Sequence, residues 1–456
     1  MGGPWADLST ELKGYPSQDN SRNADESVIP PGLEDEFSQQ GPRYFDGRRI
    51  YRVPDALRKK NKEDCYAPKM ASFGPYNHGS PGLHVAEKFK AKVLEIFVSD
   101  SGRPRNFFFN KIFEVIDQVR NCYDGISIDK YKDCALANMM LQDTFFLIYL
   151  MQRSMGESKY PELLDEHLGM SAIPFLYPDM LLLDNQIPLS VINLLTSLIY
   201  SEEEEEQESP FILRFLLKGL KMDDKITSIL EKDENQPLHL LDACWRGAAK
   251  EVDNTQGNKE VLPAFEDLRR HFSRPFRSVS DLKAKGIYFK PNNSHCVKDI
   301  KFQSWTFFGQ LQLPTLLVDI SGKVIFQNMI AFEMSPGSTS DLVITSYINF
   351  MKSLIASPKD VNDLREEKIL ISNHDNDEQV MKEFKDIDTY GLDNLQIFDQ
   401  VKMRINAHCS SKAKTWMAEL AHTYFRNPWT FIGLLAASFL LFLSTVQAYY
   451  AKNPPK

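Results

Sequence analysis

The sequence predicts a mainly α protein with a small β insertion (α+β): a helical body, a helical stalk and one C-terminal transmembrane helix. Three observations carry this. Apolar residues recur at helical spacing through most of residues 50–250. Near residue 297 the pattern changes to short strand-like segments separated by turns. Finally, the 22 residues from Trp429 to Tyr450, WTFIGLLAASFLLFLSTVQAYY, carry no charge.

Residues 1–46 hold three Lys/Arg and nine Asp/Glu among many Pro, Gly, Ser and Asn. Such a segment cannot bury enough apolar surface to offset its ordering entropy, so a disordered acidic tail is expected. The globular body is expected over residues 47–394. Val85, Phe89 and Val93, extended by Ile96 and Phe97, form one helical stripe, and Ile112, Phe113, Ile116, Val119 and Tyr123 a second. Leu136–Met151 and Met180–Tyr200 are broadly apolar and read as buried central helices, the latter kinked or restarted at Pro188. Glu202–Glu206 with Glu208 is an acidic run, read as a solvated loop, with an interaction patch as the sharper alternative. A helix follows from Pro210 to Leu220. Ser280-Asp281 opens another, which Gly286 can end. In the β insertion, near 297–333, VKDIKFQS, QLQLPTLLVD and KVIFQNMIAFE read as strands or extended pieces. Helices resume at Tyr347, one of them started by Ser357-Pro358.

Residues 395–428 read as a helical stalk, 429–450 as the membrane span and 451–456 as a short tail. As a helix the span is roughly 33 Å long at about 1.5 Å per residue, against a hydrocarbon core of about 30 Å. Trp429, Tyr449 and Tyr450 sit at its ends, where amphipathic rings favour the headgroup level. The membrane is therefore the first expected partner, a plasma membrane or an endomembrane. The body is expected on the cytosolic side: no apolar leader segment is present, and Lys412, Lys414 and Arg426 precede the span. Asn292-Asn293-Ser294 is the one N-x-S/T site.

The composition, 43% hydrophobic and 25% charged, is that of a folded body. The net charge is -9, and without a Lys/Arg cluster nucleic-acid binding has little support. Six cysteines lack CxxC spacing, which argues against zinc knuckles and for reduced, mostly buried thiols.

Several motifs, taken in order, resemble one plant family, the single-pass membrane proteins carrying domain of unknown function 247. They are Ile50-Tyr51-Arg52-Val53-Pro54, Tyr66-Ala67-Pro68, Phe73-Gly74-Pro75-Tyr76-Asn77-His78-Gly79, Glu87-Lys88-Phe89-Lys90, Arg120-Asn121-Cys122-Tyr123 and Met139-Met140-Leu141-Gln142-Asp143. Asp179 to Pro188 (DMLLLDNQIP), His239-Leu240-Leu241-Asp242, Ala284-Lys285-Gly286-Ile287, Asn328 to Glu333 (NMIAFE) and Asn427-Pro428-Trp429 continue the match. Asp184 departs from the usual Glu, no methionine precedes Glu87, and Lys385 stands where Asn is common. The family has no established catalytic activity, so the resemblance implies a topology and supplies no mechanism. Some grass members are linked to pollen–pistil self-incompatibility, which implies recognition or signalling for them.

Direct tests of the chemistry point the same way. Gly322-Lys323 is followed by Val324, so no phosphate loop forms, and neither G-x-G-x-x-G nor G-x-S-x-G occurs. The acidic segments from Asp375 and from Asp386 fail calcium-loop spacing at Val380 and Ile397. His78, His84 and Glu87 have the residue types for a metal, but lie in turn-forming sequence that favours hydrogen bonding and capping. Asp143 and Asp184 both fall in very apolar expected helices, where an unpaired carboxylate is costly. Each is expected to accept hydrogen bonds or to pair with an arginine such as Arg120; the alternative is a proton-sharing pair. The reading is therefore a non-catalytic protein-recognition or scaffolding module with an unknown protein partner, no catalytic residue, no metal and no cofactor. The alternative is an unrecognised hydrolase or transferase using Asp143, Asp184 or the His78–Glu87 group.

Overall fold

The computed structural model describes residues 48–60, 65–127, 130–200, 210–232, 235–249, 277–292, 294, 296–306, 308–317, 320–336, 338, 341–372, 374, 376–410 and 428–452. The expected N-terminal tail, the acidic run Glu202–Glu206 and the lower stalk lie outside the described residues.

The chain is mainly α. Helices α1 (Asp55–Lys60), α2 (His84–Ser101), α3 (Arg105–Glu114) and α4 (Ile116–Asn121) lead into α5 (Asp133–Met155). Then come α6 (Leu163–His167), α7 (Ile173–Asp179), α8 (Leu189–Ile199), α9 (Phe211–Arg214) with a π-turn at Phe215–Gly219, α10 (Lys225–Lys232), α11 (Leu240–Ala249) and α12 (Val279–Ala284). Strands β1 (Ile287–Asn292), β2 (Lys301–Ser304) and β3 (Gly309–Pro314) form one sheet in the order β1-β3-β2. A two-stranded sheet joins β4 (Leu316–Leu317) to β5 (Leu370–Ile371). Helices α13 (Ile320–Glu333), α14 (Val343–Leu354) and α15 (Pro358–Glu366) lie between β4 and β5 in the chain, and α16 (Asp377–Lys385), α17 (Asp399–Ser410) and α18 (Pro428–Lys452) follow β5.

Local chemistry sets several boundaries. Helices α2 and α5 end at Gly102 and Gly156, both left-handed, where a side chain would be strained. Ser278 with Asp281 and Ser357 with Asp360 form capping boxes that start α12 and α15. Helix α5 is the central rod, apolar on most sides because α2, α3, α8 and the π-turn surround it. It has the length and apolarity to cross a membrane, yet 78% of its apolar window is buried in the body, which marks it as a core helix. In α18 the apolar segment among the described residues is Leu435–Tyr449, with exposed side chains.

Four expectations are corrected. KVIFQNMIAFE is helix α13, not a strand: Val324, Gln327, Asn328, Ile330 and Ala331 are buried at helical spacing, two of them polar, which disguises the period. Met180–Pro188 is irregular rather than helical, and helix resumes only at Leu189. Val85 and Phe113 are exposed, and the second stripe is broken at Val115, between α3 and α4. Residues Asp399–Ser410, read as stalk, pack on β2 and bury Ile405, His408 and Cys409.

Candidate functional site

The irregular segment 65–83 runs beside α2, α5 and the segment 180–188. A backbone without regular structure leaves amides and carbonyls to be satisfied, and buried ones are costly when unpaired. The polar motif residues do this work. Asp179 accepts from the backbone N–H groups of Lys69, Met70 and Ala71, at 2.9, 2.7 and 2.9 Å. Asn185 accepts from Phe73 N at 2.8 Å and donates to Ala71 O and Asp179 O, both at 2.9 Å. Gln186 donates to Met180 O and Leu182 O and accepts from Leu241 N, which ties the segment to the start of α11. Asn77 donates to Asp184 O at 2.8 Å. Gly74 is left-handed, and a Cβ there would lie 2.7 Å from Gln186 O, so no larger residue fits.

Asp143 and Asp184 belong to this seam but, among the described residues, share no partner. Asp143 accepts from Gly74 N at 2.8 Å and pairs with Lys90 Nζ at 2.7 Å. Lys90 is fully buried and donates also to Glu87 at 2.6 Å and Ser72 O at 2.5 Å. Burial pushes the Asp143 carboxyl up from its ordinary range, while the Lys90 ammonium and the Gly74 amide pull it back. Asp184 accepts from Val53 N at 2.5 Å and pairs with Arg58. The partner proposed from sequence, Arg120, instead binds Asp133 at 2.6 Å. Sequence reasoning missed Lys90 because a lysine on an apolar stripe reads as the solvent side. Glu87 also accepts from Ser72 Oγ at 2.7 Å, and its second oxygen is 4.0 Å from His78. His84 begins α2 and is exposed. Among the described residues, no three His, Cys, Asp or Glu side chains gather with metal-binding geometry.

Two further motifs finish the seam. Glu333 accepts from Trp245 Nε1 at 2.9 Å and from Ile344 N and Thr345 N at 2.7 and 3.0 Å, so it caps α14 from α13. His239 Nδ1 accepts from Asp242 N at 3.1 Å, an N-cap role for α11 that requires neutral imidazole. Burial pushes the His239 pKa down to about 4. Unfolded histidine titrates near 6.5, so in the window between, the unfolded chain binds a proton that the folded chain refuses. This contribution is full above pH 6.5 and lost as pH falls through 4, about 3 kcal/mol in all. Urea unfolding at pH 7 and pH 4.5 checks this. His239→Asn, which keeps an acceptor and does not titrate, is expected to flatten the acid loss; an unchanged slope would place the proton elsewhere.

Open space lies away from the seam. A cleft of about 420 Å³ is lined from α2, α5, the 157–163 loop, α8 and α9. Its walls carry Phe97, Tyr149, Tyr160, Tyr200 and Phe211, with Arg214 lying 5.5 Å from the Tyr200 ring and 3.6 Å from Glu157. Tyr160 OH donates to Asp100 at 3.1 Å, and Gln152 donates to Tyr200 OH at 2.7 Å. None of Asp143, Asp184, His78 or Glu87 lines it.

A mainly helical body with a small sheet, its motif residues hydrogen-bonded to irregular backbone, defines the class of fold. The family model for DUF247, described as plant protein of unknown function, matches residues 50–443, and the chain belongs to that family. The UPF0481 protein At3g47200 of Arabidopsis thaliana is 26% identical over 434 residues, covering 88% of this chain and 86% of its own. A second Arabidopsis thaliana UPF0481 protein, At3g02645, is 22% identical over 490 residues, covering 88% of this chain and 89% of its own. No solved structure matches the chain.

Proposed function

We propose that this protein is a membrane-anchored, non-catalytic recognition module. In this reading α18 sits in a plasma membrane or endomembrane, the body faces the cytosol, and the cleft receives a partner protein. The separation of the cleft from the buried carboxylates carries the argument. The carboxylates are committed to backbone amides and cations. The cleft is rich in Tyr and Phe and holds an Arg, the residue types that protein interfaces concentrate. Glu202–Glu206 and Glu208 connect α8 to α9 in the chain, so a partner segment with basic side chains is favoured. The hydrolase or transferase alternative has less support, because its candidate groups lie outside the cleft. For orientation, Asn292 Nδ2 donates to Asp299 O at 2.6 Å, which uses the glycosylation-site amide inside the fold.

Proximity labelling from the intact membrane protein tests the reading. Tyr160→Ala combined with Gln at Glu202–Glu206 is expected to remove specific labelled proteins seen with the parent. An unchanged set would exclude the cleft as the recognition surface. Glycosidase-sensitive Asn292 would overturn the cytosolic orientation.

A further inference from the structure

We propose that the aromatic hairpin joining β2 to β3 rests in the headgroup layer of the bilayer that anchors the chain. This rests on the anchor reading of α18 and adds a second, peripheral contact to it. In the three-stranded sheet Ile287, Phe289, Phe302 and Leu311 face the core, and period-2 alternation sends Tyr288 and Lys290 outward. Trp305 and Phe308 form the turn, closed by Trp305 N donating to Phe308 O at 2.8 Å. Tyr288, Trp305 and Phe308 are 56%, 40% and 40% exposed, yet their rings cluster, with Phe308 5.9 Å from Tyr288 and 4.8 Å from Trp305. Three large rings gathered in water lose apolar burial that a surface would supply.

The neighbouring helix says which surface. His408 near the end of α17 packs edge-on against Phe302 at 5.7 Å and shares a 2.8 Å hydrogen bond with Ser304 Oγ. The hairpin is thus fixed to the end of α17 from which the chain leaves for α18. Residues 411–427 span that gap, and 17 residues reach at most about 60 Å when extended. The rings therefore lie within tether range of the anchor. Trp and Tyr favour the headgroup level, where the ring is apolar and its N–H or O–H stays wet. Basic groups share this end: Lys290 is exposed on the Tyr288 face, and Arg277 and Lys285 act electrostatically on Cys409. Lipid phosphates suit that charge.

The test uses the full-length chain in phosphatidylcholine/phosphatidylserine vesicles containing lipid with a doxyl quencher near the headgroup. The chain has five tryptophans, so Trp305 is read as the difference between the parent and Trp305→Phe. Loss of most of that difference emission in quencher vesicles is the expected result, with equal thermal midpoints showing that the variant is folded. If the chain floats with vesicles after carbonate washing but the Trp305 emission is unquenched, the hairpin proposal fails alone and the patch faces water or another protein. If the chain does not float, the anchor reading fails and takes this proposal with it.

Discussion

Replacing Asp143 by alanine is expected to destabilise the body by about 3–5 kcal/mol, the cost of breaking a buried ion pair from one side. The substitution removes the buried partner of the fully buried Lys90 ammonium, leaving it the part-exposed Glu87 carboxylate, and also leaves Gly74 N without its acceptor. A hydrogen-bond acceptor lost from a neutral donor costs only about 1–3 kcal/mol; the charge on Lys90 makes the difference. The discriminating variant is Lys90→Met with Asp143→Asn, which removes both charges and keeps an acceptor for Gly74. It is expected to lose less than Asp143→Ala alone. Chemical denaturation of the three proteins checks this, and a loss below about 1 kcal/mol for Asp143→Ala would show that Glu87 suffices to hold the Lys90 charge and overturn the expected dependence on Asp143.

A chain lacking Trp429–Lys456 is expected to move from the carbonate-resistant membrane pellet to the soluble fraction. The side chains of Ile432, Leu435, Phe439, Leu440, Leu441 and Phe442 are each more than half exposed along α18. Fully burying one such side chain gains about 1.5–3 kcal/mol, so together they favour lipid over water by far more than a peripheral contact supplies. Should the shortened chain still pellet and resist carbonate and salt, the attachment lies elsewhere in the body. A soluble shortened chain with unchanged unfolding would show that α18 serves attachment and not folding.

Much of the architecture was legible along the chain. The helical character of 84–101 and 133–155, the helix opening read at Ser280-Asp281 and capped in the structure two residues earlier by Ser278, the start at Ser357-Pro358, and the small β element follow from local periodicity and capping chemistry. The order of short motifs was enough to place the chain in its family. Local pattern failed where a polar residue is buried. Gln327 and Asn328 concealed the helix of 320–333, and the apolar run Met180–Leu183, buried like a helix face, concealed the irregular course of 180–188 that Asp184, Asn185 and Gln186 hold. Lys90 was unreadable as the partner of Asp143 because 53 residues separate them.

The sequence by itself determined the helical class, the family and the apolar C-terminal segment, because each is written in neighbouring residues. Only the tertiary structure decided what the motif residues do. Their partners can lie hundreds of residues away, as when Asn328 donates to Cys65 O across 263 residues or Tyr66 OH bonds Tyr390 OH across 324, and it is packing that excludes water and makes each donor require an acceptor. The cleft and the aromatic hairpin belong to the same category: each gathers side chains from separate elements, which no local period records.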